Sequence, residues 1–189
     1  MAHTEQYDYV NKIKNKLPDS FRNRVVLGVG TFDVCGTEED FFEDCDYSGL
    51  DLADGPGVDI VCPAQDYNAP DETYDTIISC ECFEHNPYYR ETLQNIVRLL
   101  KPGGLFLFTC ATTGRPVHGI KSLEEESKVK FENWKTMPNV FIENWDNDYY
   151  KNLTEEDIRL CIDIDDIFSE YEFEVEENHC DLFFYGIKK

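Results

Sequence analysis

Among its eight cysteines the chain has no CxxC pair, which removes the spacing of a zinc ribbon or a thioredoxin-type redox motif. Several of these cysteines sit inside apolar runs, Cys80 and Cys82 in IISCECF and Cys110 in FLFTCA, where a thiol acts as a small hydrophobe. No apolar run approaches the length of a membrane span, and the opening MAHTEQYDYVNK lacks the apolar stretch of a signal peptide. A reducing cytoplasm is therefore the expected location, and the sequon Asn152-Leu153-Thr154 a chance match. Basic residues are scarce: 17 Lys and Arg stand against 39 Asp and Glu, a formal charge of −22. Such a field repels polyanions, so nucleic acid and anionic membrane surfaces are disfavoured as partners. The acidity reads instead as solubility or adaptation to salt. No cluster has metal-ligand spacing, and the runs Glu124-Glu125-Glu126 and Asp163 to Asp166 read as solvated faces.

What is present is enough for one folded domain. The 189 residues are 41% hydrophobic and 14% aromatic, too apolar for a disordered chain. We expect a single domain over 1–189, with an N-terminal helical lead-in over 1–23 and an insertion or lid over 112–153. In the lead-in, Tyr7, Val10, Ile13, Lys14 and Leu17 recur at helical spacing before Pro18. RVVLGVG (24–30) reads as a first buried strand, EEDFF (38–42) as a short helix, and DYSGLDL as a strand ending at Asp51. VDIVC (58–62) and YDTIISC (74–80) are further strands. Asn86 can cap, and Pro87 start, a helix whose core face is Leu93, Ile96, Val97 and Leu100. Lys101-Pro102-Gly103-Gly104 breaks that helix before the strand LFLFTCA (105–111). Residues 112–153 look irregular and aromatic, with Trp134 and Trp145. Thr154 and Asp157 form a capping box ahead of TEEDIRLCI, and YEFEVEE and DLFFYGIKK supply two closing strands.

Strand and helix alternate along this order, which predicts an α/β fold: a Rossmann-like three-layer sandwich on a mostly parallel seven-stranded sheet with an antiparallel closing strand. Ligands of such sheets bind at the carboxyl ends of the strands, near the topological switch point. In VVLGVGTFDVCGT, Gly28, Gly30 and Gly36 permit a sharp turn and close backbone approach to a ligand. Asp51 follows Gly30 by 21 residues at the end of the second strand, where a carboxylate can accept hydrogen bonds from both hydroxyls of a ribose.

From strand one to KPGG the chain resembles the class I S-adenosylmethionine-dependent methyltransferases, especially the group labelled methyltransferase type 11. The resemblance lies in LGVGTFDVCGT, YSGLDLADGPGVDIV, AQDYNAPDETYDTIISCECFEH and IVRLLKPGGLFLFT, within residues 24–119, and more weakly in YYKNLTEEDIR. It implies that Gly28 and Gly30 lie under the methionine part of S-adenosylmethionine, that Asp51 holds the ribose, and that Leu52 packs beside the adenine. It further implies that Asp66 accepts from the adenine amine, that the Gln65 backbone faces the base, and that Cys80 and Glu81 border the methionine moiety with His85 at the mouth. Two positions depart from the family's acid-x-Gly-x-Gly loop: Gly28 stands in the acidic place, and Phe32 where the last glycine falls. Asp33 is the candidate replacement for the missing charge.

A sulfonium is already an activated methyl donor, so the protein's task is to align an acceptor in line with the methyl–sulfur bond, with a base where the acceptor must lose a proton. His85 and His118 are the candidate bases, each with a structural role as the alternative. Arg115 can meet an anionic group of the acceptor or one of the many acids of the chain. Tyr149 and Tyr150 can line an acceptor pocket or pack. The expected partner is a small-molecule acceptor. Two other readings stand beside methyl transfer. An NAD-dependent oxidoreductase calls for G-x-G-x-x-G, where this turn reads Gly28-Val29-Gly30-Thr31-Phe32-Asp33. A non-catalytic S-adenosylmethionine- or nucleotide-binding module would keep the fold and lack turnover.

Overall fold

The computed structural model describes residues 4–33, 36–119, 141–142 and 149–189. Helix α1 (Thr4–Lys16) leads into strand β1 (Val25–Val29), β2 (Asp46–Asp51), β3 (Ile60–Val61) and β4 (Tyr74–Cys80). Helix α2 (Tyr89–Leu99) is followed directly by β5 (Leu100–Ala111). After the short pair β6 (Phe141–Ile142) and β7 (Tyr150–Lys151) come α3 (Glu155–Arg159), α4 (Ile164–Ile167), β8 (Phe168–Glu176) and β9 (Asp181–Lys188).

The main sheet runs β3-β2-β1-β4-β5-β9-β8. The pairs from β3 to β5 are parallel, and β9 runs antiparallel to both β5 and β8. This is the expected mostly parallel seven-stranded sheet, its antiparallel strand set between β5 and the edge. Period-two alternation divides the side chains of the central strands between two cores. Ile77, Phe106, Phe108 and Phe184 pack with Leu93, Ile96, Ile158 and Ile164 on the face covered by α2, α3 and α4. Ile78, Leu105, Leu107 and Phe183 pack with Tyr9, Val10 and Ile13 of α1 on the other.

Local details depart from the sequence pattern where tertiary packing decides. Helix α1 starts earlier than expected and buries Gln6, Tyr9, Val10 and Ile13, whereas Tyr7 is exposed and Lys14 reaches out to the Phe41 carbonyl at 2.6 Å and to Glu43. The stripe facing the sheet is thus rotated from the expected one. Residues Glu38–Phe41 form a single 3-10 turn. β3 is shorter than expected, because the Asp59 carboxylate takes the Gly49 amide (2.8 Å) that a longer ladder would use. Asn86 does not cap α2. Its carboxamide accepts from the Tyr88 amide at 2.8 Å and closes a turn one step ahead of the helix. KPGG ends the helix as its composition predicts, yet the chain enters β5 at Leu100 at once, with the register shifting between the Tyr74–Leu100 and Thr76–Leu105 pairs. The Thr154–Asp157 capping box is present at α3. β6 and β7 pair inside the stretch read as irregular. Trp134, Trp145 and Glu124–Glu126 lie outside the described residues.

The seven described cysteines are all free thiols. Asn152 of the sequon is buried, its amide donating to the Arg115 carbonyl at 2.9 Å. No helix among the described residues is long and apolar enough to cross a membrane.

Candidate active site

β1 pairs with β2 on one side and β4 on the other, so the carboxyl ends of these strands part at the switch point of the sheet. A cavity of about 500 Å³ opens there. Its walls are Val29 and Gly30 after β1, Leu50, Asp51 and Leu52 at β2, Cys62 to Gln65 after β3, and Glu81, Cys82 and His85 to Tyr88 after β4. Gly119 and Tyr149, at the two flanks of the 112–153 segment, complete it. The volume suits a small molecule, within the roughly 300–1,000 Å³ common for ligand sites.

The β1 turn shows why glycine is needed there. Gly30 has φ +80°, and a Cβ on it would lie 2.6 Å from both Cβ and Sγ of Cys82, so only the bare backbone fits between β2 and the β4 end. Its amide donates to the Leu50 carbonyl at 2.8 Å. Gly28 answers to a different demand. A Cβ at that position would collide with the Tyr47 hydroxyl and Thr31, and Gly28 does not line the cavity. The residue in the family's acidic place is therefore small because Tyr47 packs across it. Phe32 packs over Gly55, and its amide donates to Asp51 Oδ2 at 3.1 Å. Asp51 Oδ1 accepts from the Ala53 amide at 3.2 Å, so both oxygens are oriented at the cavity wall by backbone donors. Asp33 turns into its own loop, accepting from the Gly36 amide at 2.7 Å, and does not reach the cavity.

Glu81 has φ +55°, a left-handed residue that ends the alternation of β4. This kink decides which cysteine meets the ligand side. Cys80 points into the α1 core beside Glu38, its thiol pushed up by burial, while Cys82 lies against Gly30 in the cavity wall with its thiol raised to about 12 for the same reason. Cys82 is a wall residue that sequence reading passed over, since nothing in IISCECF marks the kink. The Glu81 amide donates to the Thr109 carbonyl at 2.9 Å, and its Oε1 accepts from the Thr109 hydroxyl at 3.2 Å. Gln65 faces the cavity from the turn after β3, whereas Asp66 beside it is exposed and outside the lining.

The expected acceptor residues separate into two groups. His85, Gly119 and Tyr149 line the cavity. His118 and Tyr150 stand one ring behind, each edge-to-face with His85 (5.1 and 5.3 Å between centroids) and with each other (5.0 Å). Burial and the neighbouring His118 lower His85 to about 4, so its imidazole is neutral at pH 7. Arg115 is drawn away from the cavity into a nest of acids: its guanidinium donates to the His179 carbonyl (2.8 Å) and Asp181 (3.3 Å) and lies 4.0 Å from Glu81. The β5–β9 register, which sets Ala111 opposite Asp181, brings these residues together. Glu84, fully buried in the same region, was not marked by any sequence pattern. Burial and the negative field of Asp181 push its carboxyl up. Neither of its oxygens accepts a hydrogen bond of good geometry among the described residues; its own backbone, that of Ala111 and the Glu81 carboxyl are its polar surroundings.

A switch-point cavity with a tight glycine turn and an acid on the second strand is the arrangement that nucleotide-binding α/β sheets share. A family model described as a methyltransferase domain matches residues 1–159, and the chain belongs to this family, the class I S-adenosylmethionine-dependent methyltransferases. No curated protein sequence matches the chain. Among solved structures, it is similar to 1,6-didemethyltoxoflavin-N1-methyltransferase of Burkholderia thailandensis, bound to 1,6-didemethyltoxoflavin and S-adenosylhomocysteine: TM-score 0.59, 15% identity, 100% of this chain and 92% of that one. It is also similar to phosphoethanolamine N-methyltransferase 2 of Haemonchus contortus in complex with S-adenosylmethionine: TM-score 0.58, 15% identity, 94% of this chain and 52% of that one. At such identity these likenesses speak for the fold.

Proposed function

We propose that the chain transfers the methyl group of S-adenosylmethionine to a small-molecule acceptor by in-line displacement. The observation that carries this reading is the switch-point cavity itself, where the bare backbone of Gly30 packs against Cys82 and Asp51 and Glu81 are the two acidic residues of the lining. When bound, S-adenosylmethionine supplies a methyl group activated by its sulfonium. Asp51 accepts from the ribose hydroxyls, and Leu52 and Gln65 border the adenine. Glu81 takes the ammonium of the methionine end, since position 28 is glycine and Asp33 is turned away. The acceptor lies against Tyr149, Gly119 and His85, with the His85–His118 pair as the catalytic element. With a pKa of about 4, His85 offers a lone pair that aligns an acceptor proton more readily than it removes one unaided. The flanks of the 112–153 segment contribute Gly119 and Tyr149 to this end, which is the ground for assigning acceptor choice to that segment within a single catalytic domain.

Calorimetric titration with S-adenosylmethionine, S-adenosylhomocysteine and NAD in parallel tests the cofactor. Micromolar binding of both sulfur ligands with no response to NAD is expected. Silence toward the sulfur ligands would remove the proposal.

A further inference from the structure

Glu84, His85 and His118 each offer one ligand atom, and these atoms lie within 4.8 Å of one another; of the three residues His85 lines the cavity. We propose that these three residues form a binding site for one divalent transition-metal ion of the zinc and cobalt class, with its remaining coordination positions directed to the acceptor end of the cavity.

The donor set comes first. Two imidazoles and one carboxylate suit borderline cations such as Zn²⁺ or Co²⁺ over Mg²⁺ and Ca²⁺, which take oxygen ligands. Bonds of about 2.0–2.2 Å put tetrahedral ligand atoms roughly 3.3 Å apart, so closure requires each pair to approach by at most about 1.5 Å, a side-chain adjustment. The second observation concerns Glu84. It is completely buried, and neither carboxylate oxygen accepts a hydrogen bond of good geometry among the described residues; its own backbone, that of Ala111 and the Glu81 carboxyl are its polar surroundings. A buried carboxylate so incompletely satisfied is costly, and a cation bound beside it would offset that cost. Around it stand Glu81 and Asp181, with Arg115 as the guanidinium shared between them.

The histidines are arranged as ligands as well. His118 Nδ1 lies 3.0 Å from the Pro116 carbonyl, and the tautomer that donates this bond puts the lone pair on Nε2, the usual way a backbone carbonyl fixes a metal-binding imidazole. Gly119 borders the Cε1 edge of His85, where a Cβ would sit 2.9 Å from Cε1 and 3.5 Å from each ring nitrogen, so the glycine leaves the nitrogens accessible. In the metal-bound protein His85 would be a ligand, and the ion would acidify a coordinated acceptor oxygen or nitrogen, whose proton would pass to solvent.

The test uses the full chain stripped with a chelator and titrated with Co²⁺, followed by its visible d–d absorption, and with Zn²⁺ by competition. One equivalent of Co²⁺ should bind with a tetrahedral-type band that excess Mg²⁺ does not remove. E84Q and H118A should each weaken binding by at least about 100-fold, the upper range for losses around such sites. E84Q also has a folding readout: the metal-free variant should be at least as stable as the wild type, and the rise in Tm that Zn²⁺ gives the wild type should vanish. Absence of the band at one equivalent, or wild-type affinity in E84Q and H118A, would overturn the site and leave only diffuse binding to an acidic surface. S-adenosylhomocysteine affinity, measured on the same metal-free samples, separates this outcome from failure of the cofactor assignment.

Discussion

Replacing Gly30 with alanine tests how the cavity floor is built. Two costs add. The backbone at φ +80° is left-handed, and a residue with a Cβ pays about 1–2 kcal/mol there. The new methyl would also stand 2.6 Å from Cys82 Cβ and Sγ, an overlap that must displace β4's end or the turn, at about 1–3 kcal/mol. Gly103 separates the two costs, since it has nearly the same φ, +76°, and a Cβ there would meet nothing within 4 Å. Gly103→Ala should therefore show the backbone cost alone. In a domain of this size about 1 kcal/mol moves Tm by roughly 2–4 °C, so Gly30→Ala should fall well below Gly103→Ala in a thermal scan. Cys82→Gly combined with Gly30→Ala should recover the steric part, a coupling of about 1–3 kcal/mol in a double-mutant cycle. Gly30→Ala should also lose about tenfold or more in S-adenosylhomocysteine affinity by calorimetry, equivalent to about 1.4 kcal/mol. Equal Tm values for the two alanine variants, or coupling within about 0.5 kcal/mol of zero, would refute the assignment of Gly30 and Cys82 as one packed floor.

Asp51→Ala should weaken S-adenosylmethionine binding by about 2 kcal/mol, close to 30-fold, as expected for a lost charge-assisted pair; unchanged affinity in calorimetry would place the ribose elsewhere. His118→Ala should leave affinity for S-adenosylhomocysteine intact and lower turnover once an acceptor is found, and an unaffected rate would clear it of a catalytic part. Glu38 supplies a pH signature. It is 3% exposed, and burial holds its carboxyl above the usual carboxylate range. The folded state therefore keeps the proton that the unfolded chain releases near pH 4.3, so stability falls as pH rises from there through the raised native value and is level above it. Glu38→Gln should remove that loss: its Tm should exceed the wild type at pH 7 and converge with it below about pH 4. A constant offset across the range would sink this account.

The elements that were legible in the sequence are those whose signal is local. β1, β4 and the core of β5 are short apolar runs, and the helix before KPGG carries its stripe at Leu93 and Ile96; all four lie where the pattern predicts. The switch-point cavity followed from their order; Gly30 and Asp51 stand at its wall by the glycine turn and the spaced acid, while Leu52, Gln65, Glu81 and His85, which the family resemblance implies, line it too, as does Tyr149. What failed depended on partners distant in sequence. Gly28 is glycine on account of Tyr47, and Asp33 closes its loop on Gly36. Cys80 and Cys82 differ in fate because one left-handed residue, Glu81, interrupts an alternation that the letters alone continue. Arg115 goes to Asp181 through the β5–β9 register, a pairing that no spacing rule encodes.

The acidic composition hides a further distinction. The formal charge of −22 counts every carboxylate of the chain alike, whereas one solvated at the surface contributes little individually. Three acids among the described residues are instead buried, Glu38, Glu84 and Asp181, and each faces the desolvation cost differently. Asp181 has Arg115 at 3.3 Å. Glu38 lies in the α1-side core next to the Cys80 thiol, away from the cavity, where retention of a proton is the available response. Glu84, whose carboxyl burial also pushes up, lies beside the imidazoles of His85 and His118, where the cation proposed above would bind. The same residue type under the same burial thus leads to three outcomes, and the deciding quantity is which groups the fold places within a few ångströms.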